Sequence, residues 1–167
     1  MTGSILYQET VSSTKTQALF WGLTALFALL FVWRLTSYGL ALLTIILLLL
    51  ALLFLFYSLN YRILVIHITS EALRLHFGIF TWTIPMNNVQ GIALDDRLPV
   101  VAKYGGAGVH FMFVGGRYRA SLNFLEFPRV VVALRQSRVV RDVSFSTKHP
   151  HEVVRRLNGL VSALGAA

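Results

Sequence analysis

Leu40–Tyr57 reads LALLTIILLLLALLFLFY, a stretch of 18 residues without charge, proline or glycine. Its one strongly polar group is the Thr44 hydroxyl, which a helix backbone can satisfy. That length falls within the roughly 17–25 residues a helix needs to cross the hydrocarbon core. A soluble core helix so apolar on every face must be enclosed by protein, and a chain of 167 residues is too short to enclose it. The stretch is expected to be a transmembrane helix.

Upstream, Ala18–Trp33 (ALFWGLTALFALLFVW) is a second apolar run of 16 residues, extended by Gln17 and by the snorkelling flanks Lys15 and Arg34. A cleaved signal peptide is the competing reading. The segment before it is barely basic and LTSYG after Arg34 has no small-x-small site, which favours an uncleaved anchor. The six-residue link RLTSYG, Arg34–Gly39, forces an antiparallel hairpin. Ala18, Gly22 and Ala25 form a small-residue stripe on which the second helix is expected to pack. Lys15, Arg62 and Arg74 at the open ends outweigh Arg34 in the loop, so the positive-inside rule predicts a cell-membrane protein with two spans and both termini cytoplasmic. Trp21, Trp33, Tyr38, Tyr57 and Tyr61 sit near the ends of the runs, where interfacial aromatics belong. Residues 1–16 read as a polar tail, 17–60 as the hairpin and 61–167 as a separate domain.

The net charge is +8, and from Arg62 onward 13 Lys/Arg stand against 6 Asp/Glu, a net of 13 − 6 = +7. Such an excess suits anionic headgroups, at about 1 kcal/mol per nearby cation. The absence of cysteine removes disulfides, thiolate metal sites and cysteine nucleophiles together.

From Tyr61 the apolar period changes to two. Leu73, Leu75 and Phe77 alternate with Arg74 and His76, and Phe80, Trp82 and Ile84 with Thr81 and Thr83. Tyr61–Ile68 reads as a central strand, with further strands near Val89–Asp95, Val109–Val114, Arg117–Asn123, Arg129–Arg135 and Arg138–Phe145. Gly115-Gly116 is a two-residue hairpin turn and Gln136-Ser137 a weaker one. Pro99 and Gly105-Gly106-Ala107-Gly108 mark the longest irregular connection. Pro150 and Glu152 open a helix over about residues 149–164, whose apolar stripe is Val153, Val154, Leu157, Leu160, Val161 and Leu164. A seven-stranded antiparallel sheet, closed or nearly so and capped by that helix, is expected.

Ile68–Leu75 (ITSEALRL), Phe77-Gly78-Ile79-Phe80, Ile84-Pro85 with Val89, and Val143–Glu152 (VSFSTKHPHE) carry a resemblance across nearly the whole chain. The chain resembles the bacterial pleckstrin-homology-like domain proteins with an N-terminal two-helix transmembrane hairpin. The resemblance implies an α+β membrane protein of prokaryotic origin, with a pleckstrin-homology-like seven-stranded β-barrel or sandwich and a C-terminal capping helix. It implies little about activity, since fold alone does not supply function.

Headgroup-binding pleckstrin-homology domains use basic residues around their first two strands, where Arg62, Arg74 and His76 stand here. The connection Thr69-Ser70 is short for such a pocket, so these positions are expected to keep the sheet soluble. The candidate lipid or partner surface comprises Arg62, Arg74, Arg117, Arg119, Arg129, Arg138 and Arg141, within a wider basic set that includes Arg135, Lys148, Arg155 and Arg156. The glycine segment leads into a strand rather than a helix and does not suit phosphate. His149 and His151 cannot share a helix face, Asp95 and Asp96 point apart if extended, and Asp95-Asp96 are expected to salt-bridge to Arg97. No catalytic, cofactor-binding or metal-binding residue is expected. Neither apolar run holds an ionisable residue of the kind a transport path needs. The expected partners are the lipid bilayer and a protein partner or second copy of the chain, without nucleic acid or a small-molecule substrate. The expected role is a non-catalytic, membrane-anchored binding or scaffolding module. An anionic-headgroup sensor, an accessory subunit and an oligomeric channel are the alternatives.

Overall fold

In the computed structural model, residues 4–95, 107–136 and 139–165 are described. The two apolar runs form α1 (Thr14–Tyr38) and α2 (Leu42–Asn60), each long and apolar enough to span a membrane. Ser13 is extended and its hydroxyl accepts the Thr16 N–H, which caps the start of α1. Gly39, at φ 72°, ends α1 with its N–H on the Leu35 carbonyl. The helices meet through the stacked rings of Phe27 and Phe54, 5.4 Å apart, and a Thr24–Ser58 hydroxyl contact of 3.3 Å. Ala18, Gly22 and Ala25 are exposed, and a Cβ on Gly22 would meet nothing within 4 Å. The expected small-residue stripe therefore faces away from α2, and aromatic side chains fill the contact instead.

Residues 5–12, expected to belong to a polar tail, form strand β1 (Ile5–Ser12). It pairs antiparallel with β2 (Ile63–Thr69), which continues to β3 (Ala72–Phe77) and β4 (Phe80–Pro85) in a sheet of order β1-β2-β3-β4. A 3-10 turn at Met86–Asn88 leads to β5 (Val89–Leu94), β6 (Gly108–Val114), β7 (Arg117–Asn123), β8 (Arg129–Leu134) and β9 (Asp142–Ser146). Their order is β5-β8-β9-β7-β6, and β7 runs parallel to β9. The described strands therefore number nine in two separate sheets, not seven in one closed antiparallel sheet. The difference arises because β1 joins the first sheet and β9 slots between β7 and β8. Gly115 and Gly116, at φ 57° and 77°, make the predicted hairpin turn. Ser137 and the start of the glycine segment lie outside the described residues, whereas the Gln136 N–H donates to Asn88 Oδ1 at 2.7 Å.

Alternation sends Leu64, Ile66, Ile68, Leu73, Leu75, Phe77 and Ile84 of the first sheet toward Leu122, Val130, Val132, Val143 and Phe145 of the second. α3 (Pro150–Gly165) closes this core with Val153 and Leu157, both fully buried. Removing buried methyl groups from such a site leaves a cavity as well as losing their transfer energy.

The start of α3 is tied to the N-terminal strand. Glu9 is buried, and its Oε1 accepts the Lys148 N–H at 2.7 Å while Oε2 accepts the Tyr7 and Thr147 hydroxyls. Burial and the adjoining Glu9 carboxylate hold the Tyr7 phenol well above its ordinary pKa. Arg156 Nη1 donates to the Leu6 carbonyl at 3.2 Å, from the same helix.

Leu157→Ala is expected to cost about 2–5 kcal/mol in denaturant unfolding of the detergent-solubilised protein. Glu9→Ala is expected to cost about 1–3 kcal/mol, because it strands buried donors, whereas Glu71→Ala at an exposed turn should change little; equal costs for the two glutamates would refute the tie.

Candidate functional site

The strands of the second sheet have one end near the helices and one end far from them. Gly108, which opens β6, faces the rings of Tyr61 and Phe20, and a Cβ there would lie 3.3 Å from Tyr61. β7 ends beside the Leu125 N–H, which donates to Thr16 Oγ1 at 3.1 Å. The turn Gly115-Gly116 and Arg117 are therefore at the helix-distal end, about 20 Å along the strand at roughly 3.3 Å per residue.

Pairing in register puts Arg117, Arg119, Ser121 and Asn123 on one face, with Asp142 and Ser144 beside Arg119 and Ser121. Arg119 Nη1 donates to Asp95 Oδ1 at 2.9 Å, and its Nη2 lies 3.6 Å from Asp142 Oδ2. Arg117 Nε lies 3.0 Å from Asp142 Oδ1. Asp95 pairs with Arg119, and the expected bridge to Arg97 falls on Asp96 and Arg97, which lie outside the described residues. Arg129 is also buried, and its pKa is lowered first by burial and further by the charge of Arg119, with Asp95 opposing. Gly91, Ala93, Val131 and Ala133 floor a cleft of about 330 Å³ that Arg117, Arg119, Asp95 and Asp142 wall.

The basic residues expected on one surface are divided by the fold. Arg119 and Arg129 are 5% and 7% exposed, which corrects their expected place on an outer face. Carboxylates on the same sheet draw them inward, since a buried guanidinium must be paired. Arg62 and Arg74 are exposed, Arg62 just past α2 and Arg74 on the outer side of the first sheet. Arg138 lies outside the described residues. Arg117 and Arg141 come together at the helix-distal end, where Arg117 Nη2 donates to the Arg141 carbonyl at 3.3 Å. The Arg117 side chain is 41% exposed, and Arg141 is exposed.

Beside them stands an aromatic group that sequence reasoning missed. Phe111 stacks on Tyr118 with ring centroids 5.8 Å apart, and Phe113 tilts against the same ring at 5.1 Å. Phe113 is nevertheless 74% exposed. The Arg141 N–H donates to the Tyr118 carbonyl at 2.8 Å, so the Arg141 backbone adjoins the aromatic strand pair, while alternation along β7 puts the Arg117 side chain on the opposite face from Tyr118 at the same end of the sheet. Among the described strands β6 is an edge strand, so the aromatic pair borders a row of backbone groups that no described strand pairs. Val109 of the same strand packs on the core, whereas Phe111 and Phe113 reach beyond it.

The carboxylates are distributed the opposite way. Glu9, Asp95 and Asp142 are buried, and Glu126 and Glu152 each face a cation, Lys15 and Arg156. Burying the acids leaves the outer surface more cationic than the composition alone implies. His67, His76 and His110 lie on β2, β3 and β6, and His76 Nδ1 contacts Thr81 Oγ1 at 2.8 Å. Burial first, then the nearby Arg129 charge, lowers the His110 pKa.

Arg119→Met is expected to destabilise the protein by about 3–5 kcal/mol by taking the paired guanidinium from buried Asp95 and leaving Asp142 to Arg117, while Arg141→Ala should cost under about 0.5 kcal/mol. Because the folded His110 resists protonation, its contribution is complete above the unfolded value near pH 6.5 and is lost as pH falls below it. The thermal midpoint should therefore drop on acidification from about pH 7.5 to about pH 5.5, and His110→Gln should shrink that drop. An unchanged pH slope in the variant would refute the assignment.

No protein-family model matches the chain, and no curated protein matches it.

Proposed function

We propose that this protein is a non-catalytic module, anchored in a membrane by α1 and α2, that recruits a protein partner through its helix-distal patch. The observation that carries this reading is the exposed pair Phe111 and Phe113 of the edge strand β6, packed on Tyr118 of β7, with Arg117 and Arg141 at the same end of the sheet, opposite the apolar helices. Exposed aromatic side chains interleaved with arginine are the composition enriched in protein interfaces.

Membrane anchoring is supported by how little of the helices the protein covers. Only 6% and 17% of the most apolar windows of α1 and α2 are buried, unlike the core helix of a soluble protein. Pairing of β1 with β2 supports a topology in which the segments before α1 and after α2 share one side. The cations Lys15 and Arg62 at those two ends favour the cytoplasmic side. Two stacked sheets with a closing C-terminal helix support the likeness to the bacterial pleckstrin-homology-like proteins. Tethering raises the effective concentration of a weak docking surface.

Distance argues against the headgroup-sensor alternative for these arginines. A separation of about 20 Å exceeds the screening length of about 8 Å at physiological salt. The patch therefore looks away from the chain's own bilayer, toward whatever lies beyond it.

The test is a photo-crosslinking residue in place of Phe113, in intact membranes. A discrete protein adduct that disappears with Arg117→Glu and Arg141→Glu is expected, while both forms stay in the pellet after alkaline carbonate. An adduct of twice the chain's own mass would make the partner a second copy. Lipid adducts alone would overturn the reading, and release by carbonate would overturn the anchoring.

A further inference from the structure

We infer that the turn between β3 and β4 is a third membrane contact, an apolar tip seated at the headgroup–acyl boundary beside the end of α2. The inference rests on the anchoring proposed above and adds to it a lipid-facing surface on the sheet domain itself.

Three observations place the tip. First, α2 has 19 residues, or about 28 Å at 1.5 Å per residue, which matches a hydrocarbon core of about 30 Å. Its last residue, Asn60, then falls at the boundary, and β2 begins at Ile63 with no spacer. Second, the turn is fastened to that residue. The Ile79 N–H donates to Asn60 Oδ1 at 3.0 Å. Gly78 sits at φ 62°, where an added Cβ would stand 2.4 Å from the Asn60 carbonyl oxygen, so only glycine allows so close an approach. Third, the tip is apolar and uncovered. Ile79 is 69% exposed and Phe80 43%, with Leu59 at 57% and Ile63 at 48% alongside.

A lone exposed isoleucine needs no explanation, but four large apolar side chains around one helix end form a continuous patch. The patch continues the exposed apolar surface of α2, which carries Leu52, Leu53 and Phe56 toward the same end. Arg62 lies within it, exposed, in the position of a cation over anionic headgroups. Lipid at the interface is therefore the occupant that fits the tip, since it already surrounds α2 in the proposed arrangement. Such a contact would fix the tilt of the sheet domain over the bilayer and hold the helix-distal patch outward.

The chain contains no cysteine, so single labels need no background removal. Ile79→Cys, Leu49→Cys and Phe113→Cys, each carrying an environment-sensitive fluorophore, would be reconstituted in vesicles of equal parts phosphatidylcholine and phosphatidylglycerol. Nitroxide lipids with the quencher at a shallow or a deep acyl position report depth. The label at position 79 should be quenched several-fold more than that at 113, and more by the shallow lipid than the deep one. The label at 49, in mid-helix, should prefer the deep quencher. Quenching at 49 with none at 79 would overturn the interfacial tip and leave the anchoring standing. No quenching at 49 would overturn the anchoring, and the tip with it.

Discussion

The joint between helices and sheets has no slack, and the rest of the molecule depends on it. Ser13 follows β1 directly and caps α1, and Tyr61 follows α2 two residues before β2 begins. Ser12 pairs with Ile63, so the antiparallel helices continue directly into an antiparallel strand pair. Tyr61, 3% exposed, locks this joint by packing its ring on Tyr57, Phe77 and Phe80. Without a flexible linker, the orientation of the sheets relative to the helices is set by packing rather than chain entropy.

The second sheet has two unlike faces. One contributes Val130, Val132, Val143 and Phe145 to the core; the other carries Arg119, Ser121, Asp142 and Ser144 and is equally shielded from solvent. Ser121 and Ser144 satisfy each other at 2.8 Å, and the Arg119 guanidinium lies between Asp95 and Asp142. Buried ion pairs contribute little net stability against an apolar alternative, but losing one partner is severe. The network's contribution is thus to make one arrangement of β5, β7 and β9 unique. That leaves Arg117 and Arg141 at the rim of the sheet.

Much of the architecture was legible because it follows from period and composition. The two apolar helices, the alternating strands, the Gly115-Gly116 turn and the amphipathic α3 each express a local rule. What stayed hidden depends on distant pairs. β1 carries a glutamate at an inward position, which reads as a tail until Thr147 and Lys148 are seen to receive it. The arginines could not be sorted into buried and exposed from their count, because Asp95 and Asp142 come from other strands. Phe111 and Phe113 alternate like core residues. Their exposure follows only from β6 lying at an edge beyond the covering layer.

The tie between Glu9 and the start of α3 spans 138 residues, nearly the whole chain. Long-range contacts of this kind slow folding, because loop closure precedes the reward. During synthesis β1 is made before the hairpin and the other strands, whereas the Thr147 and Lys148 partners of Glu9 follow all of them. The Glu9 carboxylate must therefore wait without these partners while the hydrophobic hairpin and then the sheets are completed. Until then the charge of Glu9, which disguised the strand as a tail, is of the kind that keeps an open strand edge from pairing with other chains.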